Sequence, residues 1–311
     1  MGSFDPKSLI DLDQCVVNAL DLFMNPGTEF PKPNLAQFKR PLVVGSGNAI
    51  ATGRIIFDAY DAVFADEGGY KSKLEAIKSI DGVVLLSASG GKHAPVIARE
   101  VKATGRKIIL FTCNPSPAAK NDVHELHVFP SRPEPYTYNT STYMGMQMAC
   151  RIDDPRAEAR RILDHIRTVV DPTLTKWGKR LGDFDAFYLL VPEQFDLIRI
   201  MLATKFVELF ARRIAKDVFT WEQAKHATTV AETPKELFLA FGRENTTFGK
   251  DRLNIPLPEN ATYPAIMAVG YYVIGKLQAQ KPAWFKQSIE SYAKNASEVF
   301  GQKLEPIVRY T

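Results

Sequence analysis

The sequence has few cysteines and no cluster of charge of one sign. Cys15, Cys113 and Cys150 are far apart and show no C-x-x-C spacing, which argues against a disulfide framework or a zinc site and favours a reducing compartment. The net charge is only +4, with lysines and arginines scattered along the chain, whereas nucleic-acid binding needs a clustered basic face. We therefore expect no metal and no nucleic-acid partner.

Long apolar stretches are also missing. No run of about 18 apolar residues is free of charge, so we expect no transmembrane helix and no membrane partner. The first residues, MGSFDPKSL, contain no apolar core of a signal peptide. These features predict a cytoplasmic protein, and the 45% hydrophobic and 24% charged composition is that of an ordinary globular chain.

The chain does contain a series of short apolar runs that end in turn-forming residues. In the first half they cover residues 41–47, 61–67, 82–89, 107–114 and 125–131. Near-continuous apolar runs are typical of strands buried on both faces of a parallel sheet. Segments with helical periodicity separate them, most clearly residues 93–105. This alternation predicts a doubly wound α/β domain.

The second half repeats the pattern more weakly, after helices expected at residues 139–152 and 154–170. Strands are expected at 186–193, 217–221 and 236–242, and helices at 195–214, 262–279 and 284–300. A chain of 311 residues suits about two domains. We therefore predict an α/β fold of two tandem Rossmann-like modules, each with a mostly parallel sheet, at residues 1–153 and 154–311.

The loop after the third predicted strand reads Ser87-Ala88-Ser89-Gly90-Gly91-Lys92. Ligands of open α/β sheets bind beyond the carboxyl ends of the strands, and the backbone amides at a helix start attract anions. Two hydroxyl groups, two glycines and a lysine therefore predict a phosphate-binding loop. The alternative is an ordinary strand-to-helix turn, in which serine and glycine are common.

Two further polar loops follow predicted strands. Gly45-Ser46-Gly47-Asn48 is not a dinucleotide fingerprint, because Ile50 stands where the third glycine would be. No nicotinamide or other cofactor is therefore expected. The third loop, residues 138–142, contains Ser141 and opens a helix, and its alternative interpretation is simple N-capping.

Together the three loops resemble those of the sugar isomerase (SIS) family, which comprises sugar-phosphate isomerases and sugar-phosphate-binding regulators. The family's phosphate loop reads S-x-S-G-x-T, and Ser87, Ser89 and Gly90 match it, whereas Lys92 replaces the threonine. The first family loop is matched with Asn48 in its third place, and a later Ser-Thr pair resembles Ser141-Thr142. The resemblance implies one sugar-phosphate site per chain, with these phosphate-binding residues: Ser46, Asn48, Ser87, Ser89, Gly90, Lys92 and Ser141.

The second half resembles the second module of the isomerase domain of glucosamine-6-phosphate synthases. That module has a K-x-x-E motif on a long helix, which Lys205 and Glu208 match, and a later K-H pair, which resembles Lys225-His226. Residues three apart share a helix face, so Lys205 and Glu208 can line one pocket. Taken singly, Lys205 and Glu208 could instead form a surface ion pair, and His226 could be a solvated histidine.

The resemblance implies a catalytic set of Lys205, Glu208 and His226. Glu208 would move a proton between C1 and C2 of a sugar phosphate, and His226 would open the sugar ring. This predicts an aldose–ketose isomerase or a related aminosugar-phosphate deaminase, as a homodimer with its site at the interface. The alternative is a non-catalytic sugar-phosphate sensor, which would not need this set of residues.

Overall fold

The computed structural model describes residues 9–227, 231 and 233–310. The chain divides into two compact units. Unit A comprises Asp21–Arg156 and Ala293–Thr311, and unit B comprises Met1–Leu20 and Ala157–Tyr292. Each unit contains a parallel β-sheet and several helices, which confirms the predicted α/β class. The predicted tandem modules, with their boundary between residues 153 and 154, remain a prediction.

Unit A is built on a five-stranded parallel sheet with the strand order β2-β1-β3-β4-β5. Its strands are β1 (Pro41–Val44), β2 (Val63–Ala65), β3 (Gly82–Leu86), β4 (Lys107–Thr112) and β5 (Glu125–Val128). All five lie within the apolar runs of the sequence. Every residue of β1 and β3 is buried, and successive residues point to opposite faces. Both faces at the centre of the sheet are therefore covered, which explains the continuous apolar runs.

The helices of unit A follow the strands as the alternation predicts. They are α2 (Asn48–Ile56), α3 (Tyr70–Ala76), α4 (Ala94–Ala103) and α5 (Thr140–Arg151). Helix α4 starts with a proline in its first turn and is followed by Gly105 at a φ of +75°, the usual asymmetry of helix ends. Its apolar face, which includes Ile97 and Val101, packs into the core of the unit. A small antiparallel pair, β6 (Glu134–Pro135) with β11 (Ile307–Val308), completes the unit.

Unit B contains a four-stranded parallel sheet with the order β10-β9-β7-β8. Its strands are β7 (Ala186–Val191), β8 (Ala215–Thr220), β9 (Glu236–Phe241) and β10 (Asp251–Ile255). The sequence predicted the first three and missed β10. This strand lies at the edge of the sheet, and only Leu253 and Ile255 are buried in it. Two alternate apolar residues are too weak a pattern to predict a strand.

The long helix predicted at residues 195–214 is shorter in the structure. A 3-10 turn at Glu193–Ile198 precedes helix α8 (Arg199–Phe210). Ala211 has a φ of +54° and ends the helix, because a residue with a positive φ cannot continue a right-handed helix. Alanine rarely adopts this conformation, so the sequence carried no signal for the end of α8.

The remaining helices are α1 (Leu12–Met24), α6 (Pro155–His165), α7 (Asp171–Trp177), α9 (Trp221–Ala227), α10 (Tyr263–Ala279) and α11 (Trp284–Phe300). Three of them, α1, α7 and α9, were not predicted from the sequence. A π-helical segment, Ile166–Val170, links α6 to α7. Helix α10 is buried on all sides, as expected for a helix that is apolar all round. Within the described part of the chain, no helix combines the length and the apolar character needed to cross a membrane.

Candidate functional site

The predicted phosphate loop of unit A is a tight turn at the carboxyl end of β3. Oγ of Ser87 accepts a hydrogen bond from the amide of Gly90 at 3.2 Å, and Oγ of Ser89 accepts one from the amide of Gly91 at 3.2 Å. Gly90 has a φ of +60° and lies so close to Pro117 that a Cβ would clash. This position therefore requires glycine, which fixes the path of the loop beyond a central strand.

Lys92 follows the turn with a φ of +54°, an uncommon conformation for lysine. Its Nζ donates a hydrogen bond to the hydroxyl of Tyr136 at 2.9 Å and lies 3.9 Å from the centre of the Phe300 ring. Burial lowers the pKa of Lys92, and the attraction of Glu67 opposes that shift. The ammonium group thus lies in a partly apolar environment, where its attraction for an anion is stronger than in water.

Two predicted residues of the first loop, Ser46 and Asn48, differ in their hydrogen bonding. Ser46 donates its hydroxyl to Oε2 of Glu67 at 2.6 Å. Asn48 is only 6% exposed, and its Oδ1 accepts no hydrogen bond from a described residue. Because Glu67 also attracts Lys92, the loops after β1, β2 and β3 come together. We call this set the loop cluster; it consists of Ser46, Asn48, Glu67 and residues 87–92. Sequence reasoning missed Glu67, although it ends the predicted strand at residues 61–67.

Ser141 makes its contacts at the start of α5 with a protein carboxylate. Its hydroxyl and its amide donate to Oε1 of Glu134 at 2.9 and 3.2 Å, and the amide of Thr140 donates to Oε2 at 2.8 Å. Glu134 is 6% exposed. A buried carboxylate therefore occupies the N-terminal end of α5, where a helix favours negative charge. Sequence reasoning missed Glu134, whose proximity to Ser141 arises from the turn that joins β6 to α5.

The C-terminal segment of unit A packs against the same region. The amide of Tyr136 donates to the carbonyl of Pro306 at 2.8 Å next to the β6–β11 pair, and the ring of Phe300 covers Nζ of Lys92. Burial raises the pKa of Tyr310, which is also close to Cys113. The chain end thus partly shields Lys92. No local pattern of the sequence predicts this contact between distant segments.

In unit B, Lys205 and Glu208 form the ion pair that their spacing predicts, and the Glu208 side chain is 23% exposed. Nζ of Lys205 lies 2.5 Å from Oε2 of Glu208, with the lysine side chain fully buried. The same Nζ lies 5.4 Å from the centre of the Tyr271 ring on α10. Burial raises the pKa of Glu208, and the charge of Lys205 opposes the rise. The interpretation as a solvated surface pair is therefore wrong for Lys205.

His226 lies in the last turn of α9 and is exposed. Its neighbour Lys225 forms an exposed ion pair with Glu222 at 2.7 Å. Within residues 9–227, 231 and 233–310, no hydrogen bond or ion pair joins His226 to Lys205 or Glu208. The catalytic role of His226 stays a prediction.

Metal-ligating side chains do not gather in the described residues. There, no three histidine, cysteine, aspartate or glutamate side chains come close enough together to hold a metal ion.

No family profile matches the sequence, and no curated protein matches it. Solved structures do match. Glucosamine-6-phosphate deaminase from Thermotoga maritima superposes with a TM-score of 0.62 at 15% identity, over 86% of this chain and 92% of that one. Tagatose-6-phosphate ketose/aldose isomerase from Escherichia coli has a TM-score of 0.56 at 13% identity, over 89% of this chain and 90% of that one.

A third match is the C-terminal domain of glucosamine-fructose-6-phosphate aminotransferase from Francisella tularensis. Its TM-score is 0.56 at 12% identity, and the match covers 89% of this chain and 94% of that domain. Identities this low establish similarity of fold alone. The chain therefore shares the fold of these sugar-phosphate proteins, which agrees with the SIS-type fold that its loops predict.

Proposed function

We propose that the protein is a sugar-phosphate isomerase of the aldose–ketose type, or a related aminosugar-phosphate deaminase, that transfers a proton between C1 and C2. The observation that carries this proposal is the buried Lys205–Glu208 pair. Burying the ammonium group of Lys205 is costly, and an ion pair with a buried member adds little net stability compared with apolar residues. A carboxylate in this environment is therefore better suited to proton transfer than to stabilising the fold.

The raised pKa of Glu208 favours a role as the base. A general base works best when its pKa approaches the working pH, and burial moves the carboxyl in that direction. Glu208 takes the proton from C2 and returns it to C1, while Lys205 fixes the orientation of the carboxylate and limits the rise of its pKa. His226 would protonate the ring oxygen as the sugar opens. The matches to a named deaminase and a named ketose/aldose isomerase support this class of reaction.

In unit A, the loop at residues 87–92 is the first choice for the phosphate, with Ser87, Ser89, Gly90 and Lys92 as its ligands. Lys92 supplies the positive charge. Ser46 and Ser141 can donate to a phosphate only after they release Glu67 and Glu134, to which their hydroxyls now donate. A homodimer remains part of the proposal, and sedimentation analysis of the purified protein tests it.

The Glu208→Gln variant tests the proposed base. Glutamine keeps an oxygen that can accept from Lys205 but cannot take up a proton, so ligand binding should persist and turnover should fall about 100-fold or more. Turnover is measured on aldose, ketose and aminosugar 6-phosphates. Glu222→Gln is the control, because Glu222 forms an ion pair with a lysine three residues away at the surface. In deuterated water, the wild type should incorporate deuterium at C2.

Normal turnover in Glu208→Gln would remove Glu208 from the mechanism. A wild type that binds sugar phosphates but exchanges no proton would favour the non-catalytic sensor instead.

A further inference from the structure

Helix α10 approaches helix α8 closely beside the Lys205–Glu208 pair. A Cβ atom on Gly270 of α10 would lie 2.6 Å from Cδ2 of Leu202 on α8, so a larger residue at position 270 would have to displace Leu202 or α10. The next residue along α10, Tyr271, is fully buried. The close packing of the two helices therefore brings the ring of Tyr271 near the side chains of α8.

The ring of Tyr271 is an electrostatic partner of Lys205 in addition to Glu208. Nζ of Lys205 lies 5.4 Å from the centre of this ring and 2.5 Å from Oε2 of Glu208. An ammonium group within about 6 Å of an aromatic ring is attracted by the quadrupole of the ring, and the attraction is larger where water is excluded. The side chain of Lys205 is 0% exposed, so the ring supports the charged form of this lysine.

The place of the Lys205 charge matters for Glu208. Burial raises the pKa of Glu208, and the charge and the hydrogen bond of Lys205 oppose the rise. If the ammonium group moved away from the carboxylate, burial would be less opposed, and the pKa of Glu208 would rise further. The ring of Tyr271 thus acts on the carboxylate through the lysine.

Other charged groups on the elements that pack against α8 have different contacts. Those on α10, on the preceding 3-10 turn and on β8 are paired with other residues or are at least partly exposed: Lys276 with Asp171 and Asp13, Asp196 with Arg199, Glu193 with the amide of Glu222, and the partly exposed Lys216 and Asp217. Within the described part of the chain, Lys205 is the charged residue that acts on the pKa of Glu208. A change at Tyr271 can therefore reach Glu208 through Lys205.

We propose that Tyr271 is a positioning residue for the proton transfer, which holds the ammonium group of Lys205 next to the carboxylate of Glu208. The inference rests on the proposed function, because it takes Glu208 to be the base. It adds a residue of α10 to a site whose other members in unit B lie on α8 and α9. Tyr271 does not contact the substrate in this proposal, and Lys205 transmits its effect.

A series that changes the electron density of the ring and nearly keeps its size tests the proposal. Phenylalanine and its mono-, di- and trifluorinated analogues are incorporated at position 271. Fluorine withdraws electrons from the face of the ring and weakens its attraction for an ammonium group stepwise. Because fluorine is little larger than hydrogen, the packing of α10 on α8 is kept throughout the series.

The proton of Glu208 is followed by infrared titration of its carboxyl band, which is assigned by subtraction of the Glu208→Gln spectrum. The pH midpoint should rise with each fluorine and lie about 0.5 to 1 pH unit higher in the trifluorinated protein than in Tyr271→Phe, the scale of one cation–π contact away from water. The acid limb of the turnover profile should move to higher pH by the same amount, with KM nearly unchanged, because the ring does not contact the substrate.

Tyr272 provides the matched control, because it is the next residue of α10 and its ring centre lies 5.0 Å from Nζ of Lys276. The same analogues at position 272 weaken a lysine–ring contact of the same kind at a different lysine. All members of this series lack the hydrogen bond from Tyr272 to Asp171, so its loss cancels within the series. The midpoint of Glu208 should stay constant within error.

The infrared titration does not depend on turnover, so this inference and the proposed function can fail separately. A midpoint of Glu208 that stays constant across the Tyr271 series, or that moves equally in the Tyr272 series, would overturn the positioning role and leave the isomerase proposal standing. A midpoint that rises with fluorination in a protein that turns over no sugar phosphate would support the action of Tyr271 on Glu208 and overturn the isomerase proposal.

Discussion

Lys205 of unit B and Lys92 of unit A are both withdrawn from water, but they are stabilised in different ways. Lys205 is fully buried and has its carboxylate partner, Glu208, one helical turn away at 2.5 Å. Lys92 is half-buried and contacts the hydroxyl of Tyr136 and the ring of Phe300, which carry no charge. The first lysine is neutralised within one helix, whereas the second keeps positive charge that can attract a ligand.

The difference shows how one residue type serves two purposes. A buried ion pair holds its partner in one orientation and tunes the partner's pKa. Lys92 has neutral groups in direct contact and is attracted by Glu67 without a direct ion pair. Its positive field is therefore only partly neutralised, and binding of a phosphate requires such a field. Unit B therefore offers a positioned carboxylate, and unit A offers a positioned cation.

Removal of one partner from the buried pair should have the largest effect. Glu208→Ala leaves the ammonium of Lys205 buried without its carboxylate, so the free energy of unfolding should fall by about 3–5 kcal/mol. The control is Glu222→Ala, which breaks an exposed Lys225–Glu222 pair of the same spacing and should leave stability unchanged within error. Urea denaturation followed by circular dichroism measures both. Equal losses in the two variants would show that burial does not distinguish the two pairs.

A smaller effect is expected in the pH dependence of stability. Burial raises the pKa of Glu208 above its ordinary 4.5, so the folded state keeps this proton to higher pH than the unfolded state does. The stability from this group is present below the unfolded pKa and is lost as pH rises through the folded value. The difference in unfolding free energy between wild type and Glu208→Gln should thus decline as pH rises above about 4.5.

The exposed pair should show the opposite sign. Lys225 lowers the pKa of Glu222, so the contribution of Glu222 is present above the unfolded pKa and is lost as pH falls. The difference in unfolding free energy between wild type and Glu222→Gln should therefore increase weakly as pH rises. If the difference in unfolding free energy between wild type and Glu208→Gln instead grew with rising pH, Lys205 would outweigh burial and lower the pKa of Glu208.

The smallest effect concerns the cover of Lys92. The Phe300 ring lies 3.9 Å from Nζ and therefore covers one side of the ammonium group. Phe300→Ala should tighten binding of inorganic phosphate about 2- to 5-fold, the free energy of one exposed cation–π contact. Val299→Ala is the control, because Val299 is the adjacent residue and is 80% exposed. Weaker binding in Phe300→Ala would show that the ring forms part of the ligand site.

Much of the fold could be predicted from local patterns. The strands of unit A lie in the apolar runs because both faces of the sheet are buried, and α11 spans residues 284–300 as its periodicity predicts. The local patterns did not predict the end of α8 or the edge strand β10. Ala211 ends α8 at a φ of +54°, and β10 is an edge strand with only two buried apolar residues.

The sequence by itself determined which residues lie in the loops after β1 and β3 and that Lys205 and Glu208 share a helix face, because these relations depend only on spacing along the chain. Tertiary structure alone decided the partners of the loop residues. Glu67 meets Ser46 across 21 positions, and Phe300 reaches Lys92 from the far end of the chain. Such contacts depend on how strands and chain ends pack, and no local pattern of the sequence encodes them.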